Sequence, residues 1–309
     1  MATPTSEATL PSRSVLSGSL LVLFAAVGFS AKAVLVKLAY AYSPKLDAIT
    51  LMSLRMLLSL PFFALVALWT QRNGDHARLT SRDTAALAGL GILGFYLAGF
   101  LDFAGLSYIS AGLERLLLFL YPTLVVIFSA LFFRRPMTRR ECIALLLTYL
   151  GIALVFGASA LSDAPHLFLG SALVFGAALT FALYILISGH YVRRLGSTRF
   201  TAYVMTSACL ATGAHFSAAH SLAALDLPAR IYGLALVMAV FSTVIPAFLL
   251  NAGMRRIGAN STSIISSIGP VLTLFLAYLL LGETLTLMQL AGTMLVIAGV
   301  VVAGTRSNE

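Results

Sequence analysis

The sequence predicts an all-α polytopic integral membrane protein, with ten transmembrane helices arranged as two inverted five-helix repeats. Composition, the placement of basic residues and a likeness between the two halves carry this expectation. Of 309 residues, 60% are hydrophobic and 10% charged, and the mean hydropathy is +0.97. Soluble domains are roughly 45–50% apolar and 25% charged, so a water-soluble fold is excluded. The polar stretch before Val15 leads into an apolar run of over twenty residues without a short hydrophobic region and small-residue cleavage site, so no removable signal peptide is expected.

A spanning helix needs about 20 mostly apolar residues. Runs of that kind cover about 15–37, 48–68, 84–107, 110–133, 140–157, 168–188, 201–218, 231–250, 259–281 and 285–303. Basic residues in short loops gather on the cytoplasmic side. Fourteen of the twenty Lys and Arg fall on one side of this arrangement: Arg13, Arg72, Arg78, Arg82, Arg134, Arg135, Arg139, Arg140, Arg193, Arg194, Arg199, Arg255, Arg256 and Arg306. The other side holds Lys37, Lys45 and Arg230, and Lys32, Arg55 and Arg115 lie within helices. Both termini are therefore expected in the cytoplasm, with the chain in a bacterial inner membrane. The net charge of +9 follows from this bias, and the basic residues are too scattered for a nucleic-acid surface.

The halves align at two offsets. At 152, Gly18, Ser19, Leu21, Val22, Ala25, Ala26 and Phe29 meet Gly170, Ser171, Leu173, Val174, Ala177, Ala178 and Phe181. At 148, Ala104, Gly105, Ile109, Ala111, Pro122, Leu124, Thr138, Leu147 and Gly151 meet Ala252, Gly253, Ile257, Ala259, Pro270, Leu272, Thr286, Leu295 and Gly299. The expected repeats are 15–157 and 168–304. Five helices per unit make the second unit start on the opposite side, an inversion common among secondary transporters, which place their substrate site near the midplane. Pro122 and Pro270 fall at equivalent positions and predict matched kinks in helices 4 and 9; Pro61 and Pro246 add further breaks.

Ala259-Asn-Ser-Thr-Ser-Ile-Ile-Ser-Ser-Ile-Gly-Pro270, followed by an apolar run and Leu281-Gly-Glu283, has a fainter copy in Ala111-Gly-Leu-Glu-Arg-Leu-Leu-Leu-Phe-Leu-Tyr-Pro122. These segments are similar to the fourth and ninth helices of the ten-helix EamA branch of the drug/metabolite transporter superfamily, and the resemblance covers nearly the whole chain. In the first copy Arg134-Arg135 replaces the Gly-Glu pair. The resemblance implies a proton antiporter or facilitative exporter of amino acids, drugs or other metabolites.

Charged side chains inside a span usually mark a pathway or an internal pair. Lys32, Arg55, Asp102, Glu114 and Arg115 all belong to the first half and lie four to eight residues from the expected periplasmic end, about 6–12 Å deep at 1.5 Å per residue. The counterparts of Lys32, Asp102, Glu114 and Arg115 are Tyr184, Leu250, Thr262 and Ser263, so the charge is one-sided. In one reading, Lys32 and Arg55 attract a substrate carboxylate while Asp102 or Glu114 receives an amine or a coupling proton. In the other, the bases snorkel and the acids pair with them to hold the helices. At most one of Glu114 and Arg115 faces the axis. Phe29, Tyr96, Phe100, Tyr121, Phe181, Tyr184 and Phe241 form a second set that could stack an apolar substrate, and of these Phe29, Tyr96, Phe100, Tyr121 and Tyr184 join the expected substrate-binding residues.

Three motif matches lack their context. Gly89-Leu-Gly91-Ile-Leu-Gly94 has no preceding strand. Asn260-Ser-Thr262 starts a helix on the cytoplasmic side, and His190 and His215 have no metal-ligand spacing. Cys142 and Cys209 are read as helix-packing residues. No metal site, cofactor or enzymatic activity is expected; an integral-membrane enzyme on lipid-like substrates and a passive channel are the alternatives. The expected partners are a small-molecule substrate and the bilayer, with protons and a homodimer left open.

Overall fold

Hydrocarbon offers no partner for a free N–H or C=O, so a chain this apolar must satisfy its backbone within helices. The computed structural model describes residues 13–73, 79–132, 139–160, 166–266 and 268–304, and every element among them is helical. In chain order the α-helices are α1 (Arg13–Tyr42), α2 (Ala48–Asn73), α3 (Ser81–Gly91), α4 (Ala98–Leu106), α5 (Ala111–Leu118), α6 (Tyr121–Phe132), α7 (Arg139–Ala160), α8 (Leu167–Leu195), α9 (Ser197–Ala219), α10 (Ala229–Ala239), α11 (Ile245–Ser266), α12 (Gly269–Leu281) and α13 (Leu287–Gly304). Six stretches among the described residues are long and apolar enough to cross a membrane: Leu16–Tyr42, Ala48–Arg72, Ser81–Leu106, Ala111–Phe132, Leu167–Val192 and Ala229–Leu250. Shorter apolar helices cover Cys142–Val155, Gly269–Leu281 and Leu287–Gly299. The chain is a multi-pass helical membrane protein.

Helix starts are set by side chains that take up the orphan N–H groups of the first turn. Asp47 Oδ1 accepts from Thr50 N at 2.7 Å, and Ser110 Oγ from Leu113 N at 3.2 Å. Thr80 with Asp83, and Thr286 with Gln289, form reciprocal capping boxes.

Several spans are interrupted. A π-helical segment, Ile92–Leu97, joins α3 to α4, and another, Val240–Val244, joins α10 to α11. They lie 148 residues apart. The α5 helix yields to a turn at Phe119 and Leu120, and Ile268 precedes α12, again 148 beyond Leu120. Pro122 and Pro270 therefore sit in the first turn of the helix after a break.

Glycines set the closest crossings. A Cβ built on Gly105 would meet Val174 Cγ2 at 2.5 Å and Gly170 O at 2.9 Å; one built on Gly253 would meet Val22 Cγ2 at 2.5 Å and Gly18 O at 2.9 Å. The α4–α8 and α1–α11 contacts thus share one local geometry.

The expected boundary between helices 8 and 9, near Leu250 to Ala259, is different in the structure, where helical backbone runs unbroken through Ile245–Ser266. Pro246 packs on Gly28 and Ile257 on Gly18, whereas Gly269 O returns to Ser30 Oγ at 3.1 Å. The chain therefore descends α1 and has doubled back along it by Gly269, with helical backbone as far as Ser266, which hydropathy could not register. Arg78, Arg134, Arg135 and Arg306 lie outside the described residues, as do the side chains of 258–264. Cys209 is buried with Sγ 3.9 Å from Met56 Sδ, but Cys142 is exposed on α7 and is not a packing residue.

Candidate functional site

The ends of the bundle show which connections lie together. At one end Lys37 Nζ donates to Leu106 O at 3.2 Å, His220 Nε2 lies 2.6 Å from Asp47 Oδ2, and Ala111 N donates to Glu283 Oε1 at 3.0 Å. Glu283 follows Gly282, whose φ of +68° ends α12, and its carboxylate caps α5. At the other end Arg194 pairs with Asp83, and Arg256 donates to Ser17 at 3.0 Å.

Toward the first end, below its loops, lies a charged layer. Lys32 from α1 reaches Asp102 of α4 in a hydrogen-bonded ion pair, and its Nζ is 3.5 Å from Glu114 Oε1 of α5. Both acids are buried, Glu114 completely. Among the described residues neither Glu114 oxygen nor Asp102 Oδ1 has a hydrogen-bond partner, so Lys32 is the principal stabiliser of two desolvated carboxylates. Arg55 is also buried. Its Nη1 donates to Thr243 Oγ1 at 3.4 Å, and its guanidinium sits 4.8 Å from the centre of the Phe103 ring, a cation–π arrangement. Thr243 belongs to the second π-helical segment, and thus the charged layer touches one of the paired interruptions.

The remaining expected residues fall into two aromatic groups. Tyr96 Oη is 2.9 Å from His215 Nδ1, and the His215 ring packs edge-on to Phe100 at 5.2 Å. Tyr121 and Phe181 meet at 5.0 Å, Phe181 stacks on Tyr184 at 5.5 Å, and Phe95 packs against both members of that stack. Phe29 is half-buried beside Ser30, and Phe241 is exposed. Sequence reasoning left His215, Thr243 and Ser30 out of the site. The spacing of His215 speaks only to metal ligation, and a lone hydroxyl in an apolar run has no distinguishing pattern.

Helices broken at matched points around buried charges and aromatic clusters define a membrane-transport protein rather than a single-pass anchor or a soluble binding module. The sequence profile of the EamA-like transporter family matches residues 16–157 and 168–305. The uncharacterized transporter YcbK of Bacillus subtilis is 34% identical over 284 residues, covering 91% of this chain and 90% of its own. The uncharacterized transporter YyaM of the same organism is 26% identical over 219 residues, covering 69% and 71%. A solved crystal structure superimposes with a TM-score of 0.65 at 18% identity, covering 93% of this chain and 97% of the other, which is a likeness of fold. The chain belongs to the EamA-like transporter family and is a multi-pass membrane transporter.

Proposed function

We propose that the protein is a secondary exporter of amino acids or similar small metabolites and drugs, working by alternating access between two inverted five-helix repeats, 15–157 and 168–304. Both termini face the cytoplasm of the inner membrane in this reading. The observation that carries it is the recurrence of interruptions at one spacing: π-helical segments at Ile92–Leu97 and Val240–Val244, and helix breaks just before Tyr121 and Gly269. Broken helices give a bundle places to bend, and paired ones let the same bend occur in either half. The like crossings at Gly105 and Gly253 support the same symmetry.

Within that cycle Glu114 is the coupling acid. It is fully buried, and among the described residues one ammonium group lies at ion-pair distance and no group donates a hydrogen bond to it. Protonation of either carboxylate weakens its hold on Lys32, so proton exchange and rearrangement of α1 against α4 and α5 are linked. The binding surface consists of Lys32, Arg55 and Asp102 with Phe29, Tyr96, Phe100, Tyr121 and Tyr184.

Flux into proteoliposomes across a panel of amino acids and cationic drugs, with and without a pH gradient, tests the proposal. Saturable flux that responds to the gradient is expected, and Glu114→Gln should transport without that response. Absence of saturable flux for every compound argues against transport; unchanged gradient dependence in the variant removes Glu114 from the coupling role.

A further inference from the structure

The five ionisable groups of the charged layer do not balance. Lys32 and Arg55 offset Asp102 and Glu114, which leaves Arg115 as an additional cation. Arg115 takes part in none of the ion pairs among the described residues, and its Nε has no hydrogen-bond partner. Unlike Glu114 beside it, Arg115 remains partly exposed. Its side chain turns to the other face of α5, toward the break before α12: a Cβ built on Gly269 would lie 3.0 Å from Arg115 Nη2 and 3.6 Å from Ser30 Oγ.

Apolar rings continue from that point. The Arg115 guanidinium is 5.9 Å from the centre of Phe119, Phe119 is 6.0 Å from Tyr121, and Tyr121 leads to Phe181 at 5.0 Å. The charges come from the first half, whereas the rings come from both. Lys32 in the first half corresponds to Tyr184 in the second, and Tyr184 stacks on Phe181. Arg115 therefore stands between the charged layer of the first half and an aromatic cluster drawn from both halves.

We infer that Arg115 is the anion-binding group of the transport site, and that the substrate carries a carboxylate for Arg115 and an aromatic or bulky apolar body for Tyr121 and Phe181. A guanidinium presents parallel N–H donors that match a carboxylate, and this pairing is strongest where water is scarce. An amine of the same shape meets an uncompensated positive charge and is excluded. This assignment rests on the transport reading of the same site and narrows its substrate class.

The test uses purified full-length protein in detergent, titrated calorimetrically at neutral pH with phenylacetate, phenethylamine and acetate, followed by flux of labelled phenylacetate in proteoliposomes. Phenylacetate should bind saturably, phenethylamine should not, and acetate, lacking the ring, should bind at least about tenfold more weakly. Arg115→Gln should weaken phenylacetate by about tenfold or more, and Arg115→Lys, which keeps the charge but loses the fork, should fall between. Equal binding of the amine and the acid, wild-type affinity in Arg115→Gln, or no phenylacetate binding to the native protein would each overturn the assignment. Binding of phenylacetate without flux would retain the anion site and count against transport, whereas flux of another compound without phenylacetate binding would do the reverse.

Discussion

Lys32 serves two buried carboxylates at once, and its loss is correspondingly unfavourable. Lys32→Met leaves Asp102 and Glu114 without the ammonium that contacts both, which should destabilise the protein by about 3–5 kcal/mol. Adding Asp102→Asn should recover most of that loss. Denaturant unfolding in micelles measures both, and a Lys32→Met variant as stable as the parent would mean the acids do not depend on the ammonium. The sequence already marked these three residues as charges in a membrane span, because each is costly there. Their pairing was only one of two open readings, since Lys32, Asp102 and Glu114 come from three helices and no spacing along the chain relates them. The same limit applied to Glu114 and Arg115. Adjacent residues on a helix point about 100° apart, so one could be expected to differ from the other, but not which would be enclosed.

At the scale of elements, the crossings of α4 with α8 and of α1 with α11 depend on missing side chains. Gly105→Val and Gly253→Val insert methyl groups into space occupied by a valine and a backbone carbonyl, and each should lose about 1–3 kcal/mol through overpacking. Gly233 has nothing within 4 Å of a built Cβ, so Gly233→Ala should show no comparable loss when all three variants are unfolded with denaturant in micelles. Equal effects at all three positions would contradict the described packing. Most helix limits were legible from apolar runs; α2, for example, starts at Ala48 as expected. The π-helical segments were not legible, because Ile92–Leu97 is as apolar as its neighbours and a change of hydrogen-bond register has no hydropathy signature. The reversal between Ile257 and Gly269 was legible in outline, since polar residues there divide two apolar runs, but the helical backbone through Ser266 was not.

For the molecule as a whole, the alternation of connections between two ends follows from the sequence, whereas the side each end faces remains our proposal. In a Cys142→Ser background, Lys45→Cys should react with a membrane-impermeant maleimide on intact cells, and Arg72→Cys only after permeabilisation. The opposite pattern would reverse the orientation. The one-sided distribution of charge was also visible as composition, but its arrangement into a paired triad, a buried arginine and a partly exposed one required the packing of both halves. The two π-helical segments add a constraint of angular phase. An i→i+5 turn encloses one residue more than an α-turn, and one residue corresponds to about 100° of rotation. Asp102 lies beyond Ile92–Leu97, so its bearing toward Lys32 depends on that surplus residue. Rewinding the segment to α-helix would swing the carboxylate away from the ammonium without tilting any helix. A change of winding alone is thus enough to disconnect the ion pair.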